Sequence, residues 1–87
     1  MIRTRIHNII LGIGYFIKHD REGNITSKEV SATIREIRKL RPKDDDERLY
    51  KEDIIVRLSP VKTYQEYCII SRETFIDANV ERRLEDL

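Results

Sequence analysis

The first apolar pattern lies along the N-terminal segment and fits two kinds of secondary structure. Isoleucines recur there every three or four residues, as they do on one face of a helix, at Ile2, Ile6, Ile9, Ile13 and Ile17. Residues 9–17 also alternate as a strand would, and Gly12 and Gly14 would each cost a helix roughly 1 kcal/mol. A strand of this length would exceed the usual five or six residues. We favour a helix over residues 2–17 and keep a strand as the alternative.

The segment from Ile25 to Arg41 predicts a helix with a marked start and a marked end. Thr26 can cap its first turn, and Glu29, three positions later, completes a capping box. Pro42 cannot continue the helix and so ends it. The apolar positions between these signals recur at helical spacing and predict a buried stripe formed by Val30, Ile34 and Ile37.

The second half of the chain predicts a short helix, a β-hairpin and a C-terminal helix. Asp44 is a good N-cap before an acidic first turn, and this helix is expected to reach about Glu52. Residues 53–59 and 64–71 are rich in β-branched and aromatic residues and flank a turn, as hairpin strands do. Ser71 is then expected to cap the last helix, whose apolar face consists of Ile76, Val80, Leu84 and Leu87.

This order of elements predicts one small α+β domain over residues 1–87, with three helices, a β-hairpin wing and a C-terminal helix. The stretch LGIGYFIKHDREGNITSKEV (residues 11–30) resembles the first helix, the turn and the start of the second helix of the winged helix-turn-helix superfamily. The resemblance implies DNA binding, with the hairpin as the wing and the last helix as an element often used for dimerisation. If the N-terminal segment is a strand, the order instead predicts a strand-helix-strand-strand-helix two-layer sandwich.

Composition places the chain among globular proteins with a heavily charged surface. Hydrophobic residues make up 39% and charged residues 38% of its 87 residues, and no apolar run approaches the roughly 20 residues that span a bilayer. We therefore expect no membrane partner. The single cysteine, Cys68, stands between apolar residues, which predicts a buried thiol and favours a reducing, cytoplasmic location.

No residue pattern points to a metal, a cofactor or a catalytic set. A zinc site needs about four Cys or His ligands, whereas the chain has one cysteine and two histidines. The loop before the second helix matches a calcium-binding loop at Gly23 and Glu29, but Lys18 stands where the first acidic ligand belongs. We expect a protein that is not an enzyme.

The strongest functional signal is a set of basic residues on the predicted second helix. Lys28, Arg35, Arg38 and Lys39 fall on the side away from its apolar stripe, and the predicted hairpin adds Arg57 and Lys62. Clustered cations bind nucleic acid because each neutralised phosphate releases counterions. The first hypothesis is therefore a small DNA-binding protein that regulates transcription. A solvated surface that binds nothing is the simpler explanation of the same pattern.

The acidic start of the predicted third helix supports a different function. Asp45, Asp46 and Glu47 would repel phosphates at the position where a winged-helix protein usually reads DNA. The alternative is a protein-binding module or inhibitor that acts through this acidic segment and the amphipathic C-terminal helix. A homodimer formed through the same C-terminal helix is a further candidate partner. Basic residues exceed acidic ones over residues 1–43, and the reverse holds over residues 44–87. The first half can therefore supply the positive surface of the DNA hypothesis, and the second half the acidic surface of the protein-binding hypothesis.

Overall fold

The computed structural model describes residues 1–85, and it contains four α-helices. They are α1 (Ile2–Gly14), α2 (Ser27–Arg38), α3 (Asp45–Leu58) and α4 (Tyr64–Glu85). Within the described residues there is no strand, and only two isolated bridges pair extended backbone, His19 with Ile25 and Asn24 with Thr63. The predicted α+β class is therefore wrong, both as a winged-helix-like domain and as a two-layer sandwich.

The error lies in the segment that the sequence predicted to be a hairpin. Residues 53–59 are the end of α3 and residues 64–71 are the start of α4. Their buried positions, Ile54 with Leu58 and Tyr67 with Ile70, are three or four residues apart, as in a helix. Burial of these faces outweighs the β-propensity of the segment, which is a weak and context-dependent preference.

The end of α3 and the start of α4 also differ from the prediction, again because burial of a helical face outweighs local propensity. Asp44 does cap α3, since its Oδ1 accepts a hydrogen bond from the Glu47 amide at 2.9 Å, but α3 continues past Glu52 to Leu58. Ser71 lies inside α4 and does not cap it. Of the apolar face predicted for the last helix, Leu87 falls outside the described residues.

The first two helices form as the favoured predictions expected, but α1 ends at Gly14 and not at residue 17, and α2 ends at Arg38, before Pro42 is reached. Residues 2–14 are helical, so the strand alternative for this segment is wrong. The predicted capping box at α2 is confirmed. Thr26 Oγ1 accepts from the Glu29 amide at 3.4 Å, and Glu29 Oε2 accepts from the Thr26 amide at 3.3 Å.

One hydrophobic core joins the four helices. Helices α1 and α4 run antiparallel, since Ile10 contacts Tyr67 near one end and Thr4 contacts Glu81 near the other. Helix α2 packs on α1 and α3, and among the described residues no Cα atom of α2 lies within 8 Å of one in α4. Helices α2 and α4 therefore lie on opposite sides of the core. No helix of the described chain is both long and apolar enough to cross a membrane.

Candidate nucleic-acid interface

The basic residues predicted on the second helix share the outer face of α2. Val30, Thr33 and Ile37 turn toward the core, and the cations occupy the opposite side of a helix with 3.6 residues per turn. All four of them are exposed to solvent: Lys28, Arg35, Arg38 and Lys39. The helical spacing seen in the sequence is therefore sufficient to place them together.

The loop between α3 and α4 brings Lys62 to the same side of the molecule. Its backbone is held against the segment before α2, because the Lys62 carbonyl accepts from the Ile25 amide at 2.9 Å. A second bond links the Tyr64 amide to the Gly23 carbonyl at 2.7 Å. Lys62 thus faces α2 through a loop anchored at two points, without the wing that the sequence predicted.

An open groove of about 530 Å³ lies between α2 and this loop. Its floor is apolar and includes Ile25, Val30 and Val61. Its walls carry cations and hydroxyls, namely Arg35, Arg38, Lys62, Ser27, Ser31 and Ser59. Guanidinium, ammonium and hydroxyl groups are the side-chain donors that proteins use most often on phosphate oxygens.

Most cations of this region have no acidic partner. Among the side chains that the structure describes, those of residues 1–84, no carboxylate lies within the 4.0 Å ion-pair distance of Lys28, Arg35, Arg38 or Lys62. Lys39 is the exception, since its Nζ lies 2.9 Å from Glu36 Oε1. We call Lys28, Arg35, Arg38, Lys39 and Lys62 together the α2 basic surface. Four of these five cations thus have no described carboxylate at contact distance, although Glu66 lies near enough to Lys62 to interact with it electrostatically.

The remaining predicted cation, Arg57, lies elsewhere. It is in α3 and turns toward α4, where its guanidinium forms an ion pair with Glu73. Asp53, one turn earlier, is 3.9 Å away. The structure therefore separates Arg57 from the other predicted DNA contacts, because the hairpin that would have carried it alongside Lys62 does not form.

The predicted acidic partner site is partly used inside the molecule. Asp46 is 3.0 Å from Arg3, and Asp45 is 3.5 Å from Arg48. Glu47 is buried and accepts hydrogen bonds from backbone amides at the start of α1 and before α3. Asp46 and Glu47 thus connect α3 to α1, whereas Asp45 pairs within α3 and its side chain is 90% exposed, so the acidic segment is only partly engaged inside the molecule.

Helical spacing in the sequence already placed Ser31 on the basic side of α2, but sequence reasoning missed the other hydroxyls of the groove. Ser59 could not have been found, because it was placed in a predicted strand and reaches the groove only through the packing of α3 on α2.

A second groove, of about 500 Å³ and largely apolar, runs along the surface where α1 packs against α4. Leu11, Tyr15 and Phe75 line it, together with Cys68, which is half-buried in a helix and not buried in a strand as predicted. His7 also borders this groove, with its Nδ1 3.0 Å from Thr74 Oγ1, and burial lowers the pKa of its imidazole. No acidic residue lines this groove.

Comparisons with known proteins find no matching family model, no matching curated protein and no matching solved structure.

Proposed function

We propose that this protein is a small, non-enzymatic DNA-binding protein that regulates transcription and holds the phosphate backbone on the α2 basic surface. The observation that carries the proposal is the groove in which Arg35, Arg38 and Lys62 stand without a described carboxylate at contact distance. Two serine hydroxyls in the same groove, Ser27 and Ser31, add donors for phosphate oxygens, whereas Ser59 already donates to the Ile55 carbonyl at 2.8 Å. A cytoplasmic location, suggested by the lone Cys68, stays a prediction.

Binding through such a surface is expected to depend steeply on salt and weakly on base sequence. Each phosphate that a cation neutralises releases condensed counterions, so the logarithm of affinity falls with the logarithm of salt by about 0.9 per contact. Phosphate contacts fix the position of a protein on the duplex but do not read bases. The proposal therefore predicts similar affinities for unrelated duplexes.

The test is fluorescence anisotropy on a random duplex of about 25 base pairs at about 50 and 200 mM salt. The variant replaces the groove cations by glutamine (Arg35→Gln, Arg38→Gln, Lys62→Gln). Its matched control removes three arginines that are exposed on the other helices (Arg5→Gln, Arg48→Gln, Arg82→Gln). We expect the groove variant to lower the salt slope by about 2 to 3 and to weaken binding of every duplex.

The control has the same net charge as the groove variant and should bind almost as tightly as the wild-type protein. Equal losses in both variants would mean that net charge alone drives binding. Absence of binding by the wild-type protein at low salt would reject the DNA proposal.

A second candidate function, protein binding through the C-terminal helix, is favoured by a different observation. The outer face of α4 exposes apolar side chains that include Ile69, Ile76 and Val80. The acidic segment does not add to this candidate, because its carboxylates are engaged with other groups of the same chain. A second copy of the chain is the partner that this face fits best, as argued next.

A further inference from the structure

We propose that two copies of this chain associate through the outer faces of their α4 helices, with the helices parallel, and that the dimer bridges two DNA segments. The bridging part rests on the proposed function, whereas the dimer does not. The surface in question is the α4 stripe, defined as Ile69, Ile76, Val80 and Leu84.

The α4 stripe is an apolar surface interrupted once, by Arg72 and Glu73 between Ile69 and Ile76, and none of the described side chains buries it. Each of its side chains is between 51% and 67% exposed. The residues follow one another at spacings of seven, four and four, and Ile69, Ile76 and Val80 lie roughly opposite the buried Tyr67, whereas Leu84 lies nearer the side of the helix. At 1.5 Å per residue the stripe is about 22 Å long. Contiguous exposed apolar patches mark interaction sites in globular proteins.

The stripe has edges of opposite charge. Arg72 and Arg83 follow one edge, while Glu73 follows the other, as the 3.6-residue helical repeat requires. Asp77 lies further round, toward α3, where it accepts from the Tyr50 hydroxyl at 2.8 Å. Glu73 pairs with Arg57, but its side chain is still 42% exposed, and a carboxylate can accept about four hydrogen bonds, so it keeps acceptor capacity.

This charge pattern matches a second copy in one orientation. When two identical helices are parallel about a twofold axis, the basic edge of each meets the acidic edge of the other, as in parallel coiled coils. Arg72 of one copy then lies near the level of Glu73 in the other. In an antiparallel pair each edge would meet itself, and like charges placed opposite each other are costly. The stripe is therefore self-complementary only in the parallel arrangement.

The position of α2 determines what such a dimer presents to DNA. Thr33 of α2 and Tyr67 of α4 meet inside the core, with their hydroxyl oxygens 3.2 Å apart. Because these inward side chains face each other, the outer faces of α2 and α4 point in opposite directions. Dimerisation through α4 consequently leaves both α2 basic surfaces open on the two far sides of the dimer.

Two DNA-binding surfaces on opposite sides cannot occupy neighbouring half-sites of one straight duplex. Helix-turn-helix dimers bind such half-sites because their recognition helices lie on one side, about 34 Å apart. Here each surface would hold its own duplex, so the dimer connects separate DNA segments or distant parts of one molecule. The structure thus assigns the protein a bridging mode of DNA binding.

Sedimentation equilibrium over a range of micromolar concentrations tests the dimer. We expect the apparent mass to rise from 10.4 kDa toward twice that value. The variant Ile69→Glu, Ile76→Glu should stay monomeric. Its control, Leu49→Glu, Val56→Glu, changes two equally exposed apolar residues of α3 and should dimerise like the wild-type protein. A wild-type protein that stays monomeric throughout would overturn the proposal and leave the stripe to a different partner.

Cysteine crosslinking tests the parallel orientation. In the variant Cys68→Ser, Ile69→Cys, the new thiols face each other across the seam of a parallel dimer, and mild oxidation should yield a covalent dimer. An antiparallel dimer would place position 69 opposite the C-terminal part of α4 and give little crosslink. Cys68→Ser, Val56→Cys is the control, with an equally exposed thiol outside the stripe. A wild-type dimer that does not crosslink through position 69 would overturn the orientation.

Capture of a fluorescent duplex by a bead-bound duplex tests bridging. Wild-type protein should retain the second duplex, and the Ile69→Glu, Ile76→Glu variant should retain about tenfold less while still binding a single duplex in solution. A dimer that binds one duplex and never captures a second would overturn bridging alone. If the wild-type protein bound no DNA at all, both bridging and the proposed function would be overturned. The sedimentation measurement of mass would still decide whether the dimer forms.

Discussion

At the scale of single residues, Tyr67 has the largest structural role that the sequence did not reveal. Its ring is 1% exposed, and its hydroxyl donates to the Ile10 carbonyl of α1 at 2.8 Å. The same oxygen lies 3.2 Å from Thr33 Oγ1 of α2. Burial raises the pKa of this phenol to about 12. One side chain of α4 thus connects three helices.

Tyr67→Phe should destabilise the fold by about 1–3 kcal/mol, because it leaves a buried carbonyl and a buried hydroxyl with fewer partners. Urea denaturation measures the free energy of unfolding. Tyr15→Phe, at a position that is 85% exposed, is the matched control and should change stability by less than about 0.5 kcal/mol. Equal stability of the two variants would show that the Tyr67 hydroxyl contributes nothing net.

At the scale of elements, the two glycines of α1 are not equivalent. Both counted against a helix in the sequence. A Cβ atom at Gly12 would meet nothing within 4 Å, whereas one at Gly14 would lie 3.0 Å from Cε1 of Tyr67. Gly14 therefore permits the close approach of α1 to α4, and Gly12 has no such role.

Gly12→Ala should stabilise the protein by about 0.5–1 kcal/mol through helix propensity alone. Gly14→Ala crowds the Tyr67 ring and should be less stable than Gly12→Ala by about 1–3 kcal/mol. Thermal denaturation of the two variants side by side makes the comparison. If both variants gained the same stability, the α1–α4 contact would be looser than the structure shows.

At the scale of the whole molecule, the start of α1 depends on other helices. Met1 makes no side-chain cap. Instead, the Glu81 carboxylate of α4 accepts from the Arg3 and Thr4 amides, both at 3.2 Å. Glu47 of α3 accepts from the Ile2 amide at 3.4 Å. Carboxylates distant in the chain thereby satisfy amide groups that every helix leaves free at its start.

Glu81→Gln should destabilise the protein by about 1–3 kcal/mol, because its amide nitrogen would face N–H donors that need an acceptor. Urea denaturation is again the measurement. The control is Glu52→Gln, which alters an exposed pair with Arg48 on α3 and should cost at most about 0.5 kcal/mol. A loss at Glu52 as large as that at Glu81 would contradict capping across helices.

The sequence by itself determined the features that depend on neighbours along the chain. The capping box of Thr26 and Glu29, the Asp44 cap and the basic face of α2 all involve residues within a few turns of each other, so their spacing is sufficient to predict them. The helical character of α1 was the favoured prediction for the same reason, since its isoleucines repeat with the period of a helix.

Only the tertiary structure decided the rest. Residues 53–59 and 64–71 fit both a strand and a helix, and burial of Ile54, Leu58 and Tyr67 in a shared core selects the helix. The same packing placed Lys62 beside α2, paired Arg57 with Glu73 and turned the α4 stripe away from the basic surface. These outcomes depend on contacts between residues far apart in the chain, which local periodicity and propensity do not contain.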